Sequence, residues 1–385
     1  MYERAEARID LGALRHNCRE LKSRLAGGVE LCPVLKADAY GHGALHCVSA
    51  VAEAGADRIA FATASEAVLA RSVVPDVPLL VLGALAPAEI EMAISARADV
   101  AAWEPGFIAT LADQAAAAGL VVGVHVKYDT GMGRLGTTDP ELVLELARTA
   151  AAHPNLRLAA IWTHFATADE EDTTFRDLQR DRLAELGERA RREFPEVKLH
   201  AANSAGLIAD PASHFDMVRP GVAIYGMDPF GEDPADHNLR PVLSLHSWVA
   251  SVKDFAPGMS AGYGRTWQAE HATRVAAIPI GYGDGVRRGL SNKGEVLIGG
   301  RRHPISGTVS MDNITADLGP GSKVRVGDEV TLIGSQGGET ILAEQVAVPL
   351  GTINYEVTCG ISPRVPRVGR DEGAAKEPRP GSGSR

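Results

Sequence analysis

Two rhythms of apolar and polar positions divide the chain. Asp10 is placed as a helix N-cap, and Leu11, Leu14, Cys18, Leu21 and Leu25 behind it share one face of a 3.6-residue repeat that stops at Gly27-Gly28. Short apolar runs of strand length then recur at residues 31–35, 58–62, 78–82, 99–103, 121–126, 158–163, 197–202 and 215–218. Their spacing of roughly 20–40 residues is the unit size of a (β/α)8 barrel. Alanine-rich helical stretches lie between several of them, at 65–71, 107–118 and 141–152. Near-continuous apolar strands separated by 3.6-residue patterns predict parallel βαβ units.

The second rhythm begins near residues 229–241. Segments 242–252, 273–280, 294–298, 313–318, 328–333 and 353–361 read as strands, several of them alternating and many separated by glycine turns; one helical stretch, 342–348, interrupts them. The predicted architecture is α/β: an N-terminal (β/α)8 TIM-type barrel over residues 1–237, then a mainly antiparallel β domain over 238–368. Residues 369–385 are rich in Gly, Pro and charge and are expected to form a disordered tail.

Composition agrees and removes some functions. A chain of 385 residues is long for one core, so two domains are expected. A formal net charge of −10 and 5% aromatic residues leave no basic excess or stacking surface for a nucleic acid. Cys18, Cys32, Cys47 and Cys359 show no CxxC spacing, which argues against a disulfide framework or a zinc ribbon. The charged start Met1-Tyr2-Glu3-Arg4-Ala5-Glu6 has no apolar stretch behind it, and no run reaches the roughly 20 apolar residues of a membrane span. A cytoplasmic protein without membrane contact is expected.

In a (β/α)8 barrel, function gathers at the C-terminal ends of the strands. Here the first run ends in Lys36, the fifth in Lys127-Tyr128-Asp129, the sixth in His164, the seventh in Asn203-Ser204-Ala205-Gly206 and the eighth in Arg219-Pro220-Gly221. Each has a plain alternative. Lys36 could snorkel into solvent, His164 could be a satisfied core histidine, Arg219 an ion-pair partner and Asn203-Ser204 a helix cap. Five polar or ionisable ends on one rim favour a site. A partly desolvated lysine forms a Schiff base with a carbonyl. Serine and backbone N–H groups at a helix start, with Gly221 allowing close approach, cradle a phosphate. That set suits pyridoxal phosphate (PLP).

Two other motifs carry less. Gly131-Met132-Gly133-Arg134-Leu135-Gly136 matches GxGxxG after a strand, but no second strand and acidic residue follow at the dinucleotide spacing. His42 and His46 are four apart, but Gly43 stands where a zinc protease needs glutamate, so no metal site is expected.

The segment from Val34 to Gly43, Val-Leu-Lys-Ala-Asp-Ala-Tyr-Gly-His-Gly, resembles the cofactor-lysine motif of the PLP-dependent, fold-type III alanine racemases. The resemblance continues through Asp129 to Gly136, His164-Phe165-Ala166, Asn203 to Gly206, Arg219-Pro220-Gly221, Tyr225-Gly226, Gly262-Tyr263-Gly264, Ile280 to Gly285, Ser310-Met311-Asp312 and Ile353-Asn354-Tyr355-Glu356. It implies interconversion of L- and D-alanine for peptidoglycan by two bases on opposite faces of Cα. Lys36 would anchor PLP and act as one base; Tyr263, delivered from the partner subunit of a homodimer with shared active sites, would be the other. Arg219 would face the pyridine nitrogen with His164 behind it, keeping that nitrogen unprotonated because a guanidinium hardly gives up its proton. Tyr40, Asn203, Ser204, Gly221, Val222 and Tyr355 would hold the cofactor, mainly at its phosphate. Arg134 would contact its phenolic oxygen and the substrate carboxylate, and Lys127 in this family can be carbamylated. Tyr282, Met311 and Asp312 would cross the dimer interface to line the substrate's approach.

Departures are small: Asp38 stands where other members have asparagine, and residues 259–262 are looser than the usual form. The alternatives are a serine or broad-specificity racemase of the same fold, a non-catalytic PLP-binding barrel, which would lack the second domain, and a PLP decarboxylase, which would put an acid rather than Arg219 at the pyridine nitrogen.

Overall fold

The computed structural model describes residues 4–371. Its barrel strands are Glu30–Leu31, Ile59–Phe61, Leu79–Val81, Ala98–Ala102, Val122–Lys127, Leu156–Trp162, Lys198–His200 and Met217–Val218. All eight predicted runs supply one. Neighbours pair in parallel, and the first strand lies beside the eighth. A single parallel bridge between Val34 and Ala60 joins the first strand to the second and closes the sheet. The Leu35 N–H donates to the Ala60 carbonyl at 2.8 Å beside it. Helices between the strands cover the outside, so the strands are buried on both faces and read as continuous apolar runs.

The second unit contains a seven-stranded sheet, a three-stranded antiparallel sheet and a two-stranded ribbon. In the large sheet Leu243–Trp248 pairs antiparallel with both Glu6–Asp10 and Glu329–Gln336. Glu6–Asp10 also pairs in parallel with Arg367–Arg370. Both ends of the described chain are thus tied into the β unit.

Four expectations change. Residues 6–10, assigned to the barrel, form a strand of the β sheet. Ala7 and Ile9 point into its core while Glu6, Arg8 and Asp10 face outward, an alternation too short to stand out in a charged N-terminus. Segment 242–252 is two strands, Leu243–Trp248 and Ser251–Phe255, which belong to different sheets. Of the tail expected from residue 369, Gly369 and Arg370 are in a strand instead; residues 372–385 lie outside the described ones. Segment 353–361 contains the helix Asn354–Cys359 rather than a strand. Its buried positions 354, 357 and 358 have helical spacing, but two of them are polar, which hid the period.

That helix matters for the site. The Asn354 amide donates to the Asp228 carbonyl and to Glu344 Oε1, both at 2.8 Å, and the Asp228 N–H donates to Glu344 at 2.9 Å. The network fastens the helix of the β unit onto the barrel's 226–228 turn and brings Tyr355 to the barrel mouth. At the other end, the first helix, Leu11–Ser23, starts as the sequence predicts, with Asp10 Oδ1 accepting from the Ala13 N–H at 2.9 Å. Asp10→Ala should cost about 1 kcal/mol in a urea melt; an unchanged midpoint would show that the cap contributes nothing.

Candidate active site

A cavity of about 470 Å³ opens at the C-terminal ends of the barrel strands, a size suited to a cofactor with a small substrate. Lys36, Tyr40, Lys127, Arg134, His164, Asn203, Ser204, Arg219, Gly221, Val222 and Tyr355 all line it. Four of these are cationic side chains, and no Asp or Glu among the described residues lines the wall.

Lys36 does not simply end a strand. It opens a turn, Lys36–Tyr40, in which Ala37, Asp38, Ala39 and Tyr40 all have φ of 53° to 55°. A left-handed turn of non-glycine residues costs about 1–2 kcal/mol per residue, so other groups must hold it. The Ala37 N–H donates to Glu66 Oε1 at 2.7 Å, Asp38 Oδ1 accepts from the Ala44 N–H at 2.7 Å, and Arg367 Nε donates to the Gly41 carbonyl at 2.9 Å. Asp38, the departure from asparagine, therefore caps the next helix, a role that needs only an acceptor. Desolvation first, then Arg134, pushes the Lys36 ammonium below its ordinary range.

Arg219 is buried without a carboxylate partner among the described residues. Its guanidinium donates to His200 Nδ1 at 2.6 Å, to the carbonyls of Thr163 and Ala201 at 2.9 Å, and to His164 Nδ1 at 3.3 Å. Burial pulls it down to about 10, so it stays charged at neutral pH. His164 lies well below its ordinary value through burial and then the Arg219 charge; it is neutral and can accept.

At the other end, Ser204 Oγ accepts from the N–H groups of Gly221 and Ala223, and Asn203 caps the short helix Ser204–Ala209. A Cβ at Gly221 would meet the Tyr40 hydroxyl oxygen at 2.3 Å, so only glycine lets this backbone and the phenol converge. The Tyr40 and Tyr355 rings lie 5.9 Å apart. Burial keeps both phenols protonated, and neither hydroxyl has a hydrogen-bond partner among the described residues. Such a donor set fits a phosphate.

Lys127 also lacks a hydrogen-bond or ion-pair partner among the described residues, and its Nζ sits 4.3 Å from the centre of the Trp162 ring. Burial, then Arg219, then Arg134 lower it to about 8. The GxGxxG stretch beside it is no nucleotide loop. The Asp129 carboxylate fills it, accepting from the N–H groups of Gly131, Met132, Gly133 and Arg134 at 2.8–3.2 Å. Burial would raise this carboxyl, but the four donors outweigh it and hold it below its usual range.

Four of the sequence-predicted residues do not reach this cavity. Tyr263, Tyr282, Met311 and Asp312 lie on the β unit, all exposed, Tyr263 to 73%. The backbone draws the last three together: the Tyr282 N–H donates to the Ser310 carbonyl at 3.0 Å and the Gly283 N–H to the Met311 carbonyl at 2.9 Å. Thr308 Oγ1 donates to the Tyr263 carbonyl at 2.8 Å, fixing its loop beside them. Sequence reasoning missed Trp162, His200 and Cys359. Trp162 shares a strand face with His164, so the two-residue period could have found it; His200 and Cys359 carry no local signal.

A family model for the N-terminal domain of alanine racemase matches residues 9–229, and one for its C-terminal domain matches 242–369. The chain belongs to the alanine racemase family. It is 41% identical over 362 residues to the alanine racemase of Symbiobacterium thermophilum, covering 94% of this chain and 96% of that one. The structure of the alanine racemase from Streptomyces coelicolor A3(2) superposes with a TM-score of 0.90 at 37% identity, covering 96% of this chain and 98% of that one. The Bacillus anthracis alanine racemase with bound L-Ala-P gives 0.88 at 34% identity, covering 98% and 97%. The chain is accordingly an alanine racemase by family, with an N-terminal barrel and a C-terminal antiparallel domain as expected.

Proposed function

We propose that this chain racemises alanine with PLP held in the barrel cavity, using Lys36 and a tyrosine from a second copy of the chain as its two bases. The observation that carries this is the cavity wall: a lysine with a depressed pKa, three further cations and, among the described residues, two unpartnered phenols and no carboxylate. Such a wall selects a ligand that is anionic at both ends and carries a carbonyl.

Tyr40, Ser204, the Gly221–Val222 backbone and Tyr355 would hold the phosphate, and Lys36 would hold the aldehyde carbon. Bound there, PLP supplies an electron sink that acidifies the substrate Cα–H. The protein does the rest. Arg134 would pair with the substrate carboxylate and orient Cα toward Lys36. The lysine amine, whose ammonium form desolvation and Arg134 disfavour, would take a proton from one face. A hydroxyl is needed on the other face. Tyr263 is the exposed candidate, and the patch with Tyr282, Met311 and Asp312 would bring it into a second copy's cavity. Arg219 would face the ring nitrogen as a pure donor and so weaken the sink enough to favour return of the proton to Cα over transamination.

Lys127 fits a carbamate. At a pKa of about 8, roughly a quarter of its amine is neutral at pH 7.5, against about a thousandth for an ordinary lysine. That amine can add to carbon dioxide and release one proton, and the resulting anion would pair with Arg134. Protein equilibrated with 13C-bicarbonate should show one carbamate resonance that Lys127→Ala lacks; a spectrum the same for both proteins would remove the assignment.

A role in supplying D-alanine for peptidoglycan and a cytoplasmic location would fit the family. No helix of the described residues is long and apolar enough to cross a membrane. The deciding experiment follows the optical activity of L-alanine and of L-serine with the cofactor-loaded protein. Loss of the alanine signal supports the reading, loss of both signals broadens its substrate range, and no change in either overturns it.

A further inference from the structure

A line of four polar side chains runs through the barrel, one from each of four strand positions. Asp99 lies near the start of the fourth strand, His125 within the fifth and His200 at the end of the seventh, while Arg219 follows the eighth. His125 Nε2 is 3.5 Å from Asp99 Oδ2, His125 Nδ1 is 2.9 Å from His200 Nε2, and His200 Nδ1 is 2.6 Å from the Arg219 guanidinium. Arg58 at 2.6 Å and Arg157 at 3.2 Å hold the Asp99 carboxylate at the far end.

The protons along this line follow by elimination. A guanidinium only donates, so His200 Nδ1 accepts and a neutral His200 carries its hydrogen on Nε2. That hydrogen points at His125 Nδ1, which must accept in turn. His125 therefore carries its hydrogen on Nε2, facing a carboxylate that only accepts. Gly123 makes room for this: a Cβ there would meet Asp99 Oδ1 at 2.1 Å.

We propose that Asp99 and His125 are positioning residues for Arg219: their hydrogen-bond line locks the His200 tautomer and so fixes how Arg219 is presented to the cofactor ring. The proposal rests on the PLP reading only for what Arg219 faces. An amide at position 99 could donate as well as accept. It would remove the carboxylate that favours the His125 Nε2–H and leave the guanidinium alone to bias the two imidazoles, the same tautomer logic by which a triad aspartate is sensitive to amidation. The plain alternative is a structural ion cluster of Asp99, Arg58 and Arg157 that only stabilises the barrel floor.

The test uses 15N-histidine spectra of the intact protein, with and without PLP, alongside Asp99→Asn and Asp99→Glu. The wild type should show His125 and His200 neutral and protonated on Nε2 whether or not cofactor is loaded. Asp99→Asn should shift both toward Nδ1–H and raise transamination events per racemisation by about tenfold, with KM for alanine within about twofold. Asp99→Glu should restore the wild-type tautomers and partition. An Nδ1–H on either histidine of the wild type overturns the proposal. So does an Asp99→Asn protein that melts earlier while its tautomers and partition stay unchanged. A protein that fails to take up PLP covalently would sink the cofactor reading alone, since the tautomer spectra of the unloaded chain still decide this one.

Discussion

Lys36→Ala is expected to lower racemisation by more than about 10⁴-fold in both directions. The residue carries two functions at once, and removing a covalent anchor and a general base together exceeds the ~10²–10⁴ that proton transfer alone contributes. The left-handed turn from Ala37 to Tyr40 should survive, because its supports come from Glu66, Asp38 and Arg367 and not from the Lys36 side chain. The variant should therefore bind PLP reversibly through the phosphate cradle. Borohydride treatment separates the cases: the wild type should retain the cofactor covalently after denaturation and the variant should release it. Retained racemisation in a variant that no longer traps the cofactor would refute the assignment of Lys36.

Tyr263→Phe should cost about 10²–10⁴ in racemisation, because one face of Cα loses its base. The loss should be one-sided. In deuterated water the enantiomer served by Lys36 should still exchange its α-hydrogen, while the other should not. Equal exchange from both enantiomers would remove the second base from Tyr263. Exposure of this phenol at 73%, away from the cavity of its own chain, makes a sharper test available. If each site takes Lys36 from one copy and Tyr263 from the other, mixing the inactive Lys36→Ala and Tyr263→Phe proteins creates hybrid dimers with one intact site. Random reassociation would restore roughly a quarter of wild-type activity. No recovery after verified subunit exchange would mean that the site is not shared.

Much of the fold was legible because the barrel strands are buried on both faces and so read as apolar runs whatever their neighbours. The rim residues were legible for a related reason: Lys36, Lys127, His164, Asn203 and Arg219 interrupt apolar runs, and topology alone puts strand ends on one rim. The failures have one physical cause. Glu6–Asp10 and Asn354–Cys359 owe their conformations to partners about 240 and 130 residues away, such as Leu243–Trp248 for the strand and Asp228 for the helix. A buried asparagine satisfied by the distant Asp228 carbonyl looks like a surface residue in sequence. The GxGxxG stretch misled in the opposite sense, since its own Asp129 occupies the donors that a phosphate would need.

By itself, then, the sequence determined the succession of elements, the rim on which the chemistry gathers and, through its motifs, the family. These depend on periodicity and on residue type at a strand end, which neighbours along the chain set. Only the tertiary structure decided which polar residues are paired. Among the described residues it left Lys127 and the phenols of Tyr40 and Tyr355 without partners, gave Arg219 two histidines in place of a carboxylate, and put Tyr263 on an outer face. Pairing depends on distances across the fold, and a charge in a sequence does not say what it will meet there.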